Sequence, residues 1–165
     1  SPHATVHSIR GYFNDQADLE QLPLAECEII IDCTGDDGVA HKLSVFPWSG
    51  EKLFFSASLG LRAQRLFLFV AQGKCFPHDE FVNALMPWIQ MELKENDGLK
   101  LPREGVGCWN PVFPARSSDI WMMSAIVVKC IETWAVNPPA SPCLKVYERE
   151  QKDLIFRAVR LAEES

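Results

Sequence analysis

Glu28-Ile29-Ile30-Ile31-Asp32-Cys33-Thr34-Gly35-Asp36-Asp37-Gly38 is the stretch whose reading decides the fold. Successive isoleucines within residues 27–33 are stiff, β-favouring and without polar alternation. They predict a strand buried on both faces and central in a parallel sheet. The strand runs directly into Gly35, two aspartates and Gly38, and residues 39–45 follow as a helical stretch, so the segment reads as half of a βαβ unit. In open α/β sheets, ligands bind beyond the carboxyl ends of such strands, which makes this strand end the first place to look for a site.

Working outward, residues 52–58 and 64–71 read as strands joined by Leu59-Gly60-Leu61-Arg62-Ala63, a hairpin-length connection that adds an antiparallel pair. Pro77-His78-Asp79-Glu80 opens a helix with acids in its first turn. Its apolar stripe is Phe81, Val82, Leu85, Trp88, Ile89 and Leu93, and Pro87 must kink or split it. Residues 96–107 are polar and contain Gly and Pro, as a mobile loop does. Ser118 reads as the cap of a helix with a broad apolar face that includes Trp121, Val127, Ile131 and Trp134, ended by Asn137-Pro138-Pro139. Residues 144–148 and 154–159 form a closing hairpin. Upstream, residues 5–13 read as a strand, and residues 16–22 as a short helix stopped by Pro23. The expectation is an α/β fold, a Rossmann-like mixed sheet flanked by helices, as one domain over residues 1–165.

Bulk composition narrows the function classes. The chain has 165 residues, 47% hydrophobic and 23% charged, with a net charge of -6. Its basic residues are scattered, so no footprint for nucleic acid is present. No apolar run approaches the roughly 20 residues of a membrane span, and no signal peptide is visible. Cysteines at 27, 33, 75, 108, 130 and 143 include no CxxC pair, which favours reduced thiols and a cytoplasmic setting.

Several segments, taken in order, resemble the ThiF-type, ubiquitin-activating-enzyme-like adenylyltransferases. Ser1-Pro2-His3-Ala4-Thr5-Val6 is similar to their "NPxV" strand entry, and Glu28 to Thr34 to their "DVVIDCTDN" strand end. Ser56 to Leu66 resembles the small-residue strand and hairpin that follow. Gly105-Val106-Gly107-Cys108-Trp109-Asn110-Pro111-Val112-Phe113 resembles the "GVLxPVxG" entry to the long helix. Leu144 to Tyr147 and Phe156 to Leu161 resemble the final hairpin. The Gly-Cys-Trp variant looks most like bacterial members linked to ubiquitin-like conjugation.

The resemblance implies the C-terminal part of such a domain, with ATP and Mg as cofactors of a longer parent and a ubiquitin-like or sulfur-carrier protein as partner. It also implies a homodimer. Asp32 matches the family's first Asp. The family's next acid falls on Gly35 here, so Asp36 is the candidate for nucleotide and metal contact if the turn is reshaped; equally, Asp36-Asp37-Gly38 caps a helix. No GxGxxG occurs, so the phosphate cradle must lie upstream, and this chain alone should not bind ATP tightly.

The candidate nucleophiles are Cys108, between the mobile loop and the long helix, and Cys75, beside Lys74 and ahead of a helix start. For both, a packed or incidental thiol is the alternative. Cys27, Cys33 and Cys130 read as packed interior residues. His3 and His7 share a strand face without a third ligand, and His41 and His78 read as solvent-facing or capping. Arg62 and Arg116 are candidates for a phosphate or a partner carboxylate. The competing function is a non-catalytic dimerisation or docking module.

Overall fold

The computed structural model describes residues 24–96, 115–152 and 155–164, together with Val6 and Phe13. The upstream strand and helix, the His3 and His7 pair, the 97–107 part of the loop and Cys108 with its flanking motif lie outside the described residues.

The strands are β1 (Ile29–Asp32), β2 (Lys52–Leu59), β3 (Arg65–Gly73), β4 (Cys143–Lys152) and β5 (Ile155–Glu164), which form one sheet in the order β1-β2-β3-β4-β5. β1 and β2 are parallel, and each later pair is antiparallel. The helices are α1 (Asp37–Val45), α2 (His78–Glu95) and α3 (Ser117–Val136). This is the mixed sheet with flanking helices that the sequence predicts.

Strand alternation sorts the core into two layers. On one face Phe54, Phe67, Phe69, Ala71, Leu144 and Val146 pack against Ala40 and Leu43 of α1, Phe76, and Phe81 of α2. On the other, Leu53, Phe55, Ala57, Leu66, Leu68 and Val70 pack against Met123 and Trp134 of α3. Lys52 to Ser58 and Leu66 to Ala71 are buried throughout, so the strands covered on both faces are β2 and β3.

That corrects the expectation for the isoleucine strand. Ile30 faces the α1 and α2 layer, whereas Ile29 and Ile31 pair with Leu53 and Phe55 on the α3 side and are 37% and 47% exposed. Burial on both faces needs a helix over each, and α3 covers β2 and β3 without reaching the β1 column. Among the described residues β1 has β2 as its only neighbour.

Two helix expectations also change. α3 begins at Ser117, with Arg116 as N-cap and no capping hydrogen bond from its side chain, so Ser118 lies inside the helix. α2 is not split at Pro87, because Phe81, Val82, Leu85, Trp88 and Ile89 anchor it to the sheet on both sides of the proline. No helix among the described residues is long and apolar enough to cross a membrane.

Since Pro87 sits exposed in the helix interior, where proline removes a backbone hydrogen bond, Pro87→Ala should stabilise the fold by about 1–3 kcal/mol. A urea midpoint unchanged or lowered by the substitution would count against this.

Candidate functional site

The β1 carboxyl end is built around Asp32, which is buried. One of its oxygens accepts the Thr34 amide at 2.9 Å and the Thr34 hydroxyl at 2.7 Å, and the other accepts the Ser56 hydroxyl at 3.3 Å. Gly35 then takes a left-handed φ of 62°, a conformation glycine adopts without Cβ strain. The Asp36 amide donates to the Thr34 hydroxyl, and the exposed Asp36 carboxylate caps α1 by accepting the Val39 amide at 3.2 Å.

Asp32 is therefore the internal anchor of this turn, and Asp36 its solvent-facing helix cap. Among the described residues no group of three or more His, Cys, Asp or Glu side chains is placed to hold a metal ion.

Beside this turn, His78 at the start of α2 contacts Asp37 of α1 at 2.9 Å, and its ring meets the edge of His41 at 5.4 Å between centroids. Cys75 is exposed in the connection between β3 and α2, next to exposed Lys74. Cys27 and Cys33 do not pack as interior residues: both are exposed, because β1 ends at Ile29 and Asp32 and leaves them outside it. Cys130 is half-buried, its sulfur 3.2 Å from the Tyr147 hydroxyl. No disulfide joins the described cysteines to one another.

A second polar centre was not legible as a site in the sequence. The β2–β3 connection, Leu61–Ala63, is a tight turn in which Arg62 and Ala63 take φ values of 58° and 49°, a region non-glycine residues rarely occupy. Gly60 precedes it; a Cβ there would lie 2.0 Å from a Glu92 carboxylate oxygen. Glu92, 5% exposed, accepts the Leu61 amide at 3.1 Å and lies 3.6 Å from Arg65. Arg65 also meets Glu95 at 2.7 Å and Glu148 at 2.8 Å, and its guanidinium lies over the Trp88 ring. On the other side of the turn Arg149, also buried, pairs with Asp119 of α3 and donates to the Arg62 carbonyl at 3.2 Å.

One signal in the sequence pointed to this lattice. Glu92 continues the spacing Phe81, Leu85 and Trp88 along the buried stripe of α2, where a charge requires a buried partner. A groove of about 350 Å³ lies beside it, lined by Arg65, Trp88, Met91, Glu148 and Arg160 together with Leu161 and Ala162.

The charges shift one another. Glu95 and Glu148 hold Arg65 firmly protonated. Burial raises Glu92 above the ordinary glutamate value near 4.5, more than the Leu61 amide and Arg65 lower it. For Glu148, burial acts upward, but Arg160 and Arg65 together outweigh it and leave the group lowered.

No protein-family profile matches the chain. A curated protein of Enterobacter hormaechei subsp. hoffmannii (strain UCI 50), ATP-dependent ubiquitin transferase-like protein Cap2, is 37% identical over 134 residues, which is 79% of this chain and 21% of that protein. The chain thus spans about a fifth of the length of the curated relative it matches.

The shifts set opposite pH trends. Glu148, lowered in the fold, contributes stability that is present above the unfolded value and lost as pH falls through the folded one. Glu92, raised in the fold, makes stability fall as pH climbs from about 4.5 through its raised value, because the native state holds that proton longer. Glu92→Gln keeps an acceptor for Leu61 and removes the ionisation. Urea midpoints between pH 4 and 7 should therefore show the variant gaining on the parent as pH rises, and a constant difference would refute the assignment.

Proposed function

We propose that the chain is part of a ubiquitin-activating-like enzyme of the ThiF type, in its C-terminal portion. The observation that carries this is the 37% identity to an ATP-dependent ubiquitin transferase-like protein over 79% of the chain. The ordered motifs and the mixed sheet support it. In this reading the parent protein, working in the cytoplasm with Mg-ATP, adenylates the C-terminal carboxylate of a ubiquitin-like or sulfur-carrier protein. The carboxylate oxygen displaces pyrophosphate from the α-phosphorus. A cysteine thiolate then displaces AMP from the acyl carbon to leave a thioester.

Within that scheme Asp32 shapes the strand end on which the nucleotide would rest, through Thr34 and Ser56, and Asp36 faces the ligand side from the start of α1. The exposed Ile29 and Ile31, and the edge of β1 that is unpaired among the described residues, fit a larger sheet in the parent, with a glycine-rich loop supplied outside this chain. Cys108 is the proposed nucleophile and Cys75 the alternative, since Cys75 is exposed beside Lys74.

The test uses the full-length parent with a ubiquitin-like protein. ATP–pyrophosphate exchange should occur, and a thiol-reducible adduct should be lost with Cys108→Ala and kept with Cys75→Ala. The reverse pattern moves the nucleophile to Cys75. Absence of exchange with an active partner refutes the enzyme reading.

A docking contact is compatible with the first reading, and one observation suggests where it would lie. α3 buries Met123 and Trp134 yet leaves Trp121, Val128 and Val136 at 76%, 53% and 86% exposure, an apolar stripe with few charges. Lys129 and Glu132 pair with each other on this helix, so a second copy could approach it without unpaired charge. We propose that this stripe is a homodimer contact. Trp121→Asp should convert the dimer to a monomer by sedimentation velocity while the circular dichroism spectrum stays unchanged. A dimer that persists at the same concentration rules the stripe out.

A further inference from the structure

The groove beside Arg65 takes no part in the function proposed above. Trp88 and Met91 of α2 line it from one side, and Glu148 of β4 with Arg160 and Leu161 of β5 from the other. At about 350 Å³ it lies at the small end of ligand-binding pockets, with room for one long side chain rather than a folded element. Among the described residues β5 has β4 as its only neighbour, so no further strand bounds the groove on that side.

Carboxylates outnumber cations around it. Arg65 is shared by Glu92, Glu95 and Glu148, and Arg160 by Glu148 and Glu150, so four acids meet two guanidiniums. Burial favours the protonated form of Glu92, and the other three acids still outnumber the two bases. Glu95 is also the last residue of α2, where the negative end of the helix dipole adds to the excess. Lys94 in the same turn is exposed and pairs with none of these acids. Among the described residues Glu150 is touched only by the Arg160 Nε, at 3.4 Å and through one oxygen, which leaves its other oxygen free to accept.

The groove wall already shows which cation suits it. The buried Arg65 guanidinium lies 5.9 Å from the centre of the Trp88 ring while its fork engages Glu95 and Glu148. Arg160 engages the same Glu148, but its side chain is 60% exposed, and ion pairs as open as this contribute little. An incoming cation can therefore share Glu148 and Glu150, or displace Arg160, at small cost. Indole rings attract cations, and apolar side chains such as Met91 and Leu161 accept the alkyl stem of a long basic residue. Paired carboxylates beside an aromatic ring suit a planar guanidinium better than an ammonium.

We propose that this groove is a docking site for an arginine side chain presented by a partner protein, its stem along Met91 and Leu161 and its guanidinium at Trp88, Glu148 and Glu150. The site is separate from the Asp32–Asp36 turn and from the α3 stripe, and the inference does not depend on the enzymatic reading above.

The experiment follows the Trp88 indole N–H and the Met91 and Leu161 methyl resonances of the full chain by NMR at constant ionic strength. The probe is a blocked pentapeptide with arginine between two leucines. It is compared with the same peptide carrying citrulline, which keeps the shape and loses the charge, and with one carrying lysine. Saturable shifts are expected with the arginine peptide, and roughly tenfold weaker binding with citrulline, the loss of one charge-assisted contact. Glu150→Gln should weaken the arginine peptide, and Arg160→Ala, which removes the resident cation, should tighten it, each by roughly threefold to tenfold. Both substitutions fall on exposed side chains, and unchanged shifts elsewhere confirm that the fold is intact. Shifts that do not saturate, citrulline binding equal to arginine, or weaker binding in Arg160→Ala overturn the proposal. A lysine peptide that binds as tightly overturns the arginine assignment.

Discussion

Arg65 is the constraint on which the rest of the structure leans. A guanidinium at the start of the central strand is buried among carboxylates from two elements, Glu92 and Glu95 at the end of α2 and Glu148 on β4. Removing Arg65 would leave Glu92 buried without its cation, so this pair is not a surface pair whose loss water makes good. Because the partners come from distant parts of the chain, satisfying them requires α2, β3 and β4 to arrive in one register. Apolar packing could be shared out among neighbouring registers; a fork with fixed donors cannot. Gly60 belongs to the same constraint, since its missing side chain is the space that the Glu92 carboxylate fills.

The fold was legible in the sequence wherever a local pattern dictated a local outcome. Two strand-like runs on either side of the Gly60 connection and the stripe from Phe81 to Ile89 pointed to the hairpin and α2, and the proline pair after Asn137 to the end of α3. The misreadings share a cause: burial depends on what lies on the far side. The isoleucines of β1 look identical in sequence to those of a central strand, yet α3 packs over Phe55 and not over Ile31. Ser118 has the chemistry of a cap, but the chain enters the helix earlier and leaves Arg116 in that position.

The candidate site was legible in part. Asp32 and Asp36 could be picked out because a strand end rich in small and acidic residues is a local signal. What separates their roles is not local: Ser56 on the neighbouring strand engages Asp32, whereas Asp36 finds its acceptor role within its own helix.

The short strand β1 has a practical corollary. Among the described residues it presents an unpaired row of backbone donors and acceptors with Ile29 and Ile31 beside it, and it carries none of the prolines, lysines or bulges that keep sheet edges apart. Such an edge is a template for further strands. A strand from elsewhere in the protein can therefore join the sheet at this border without displacing any pairing already made.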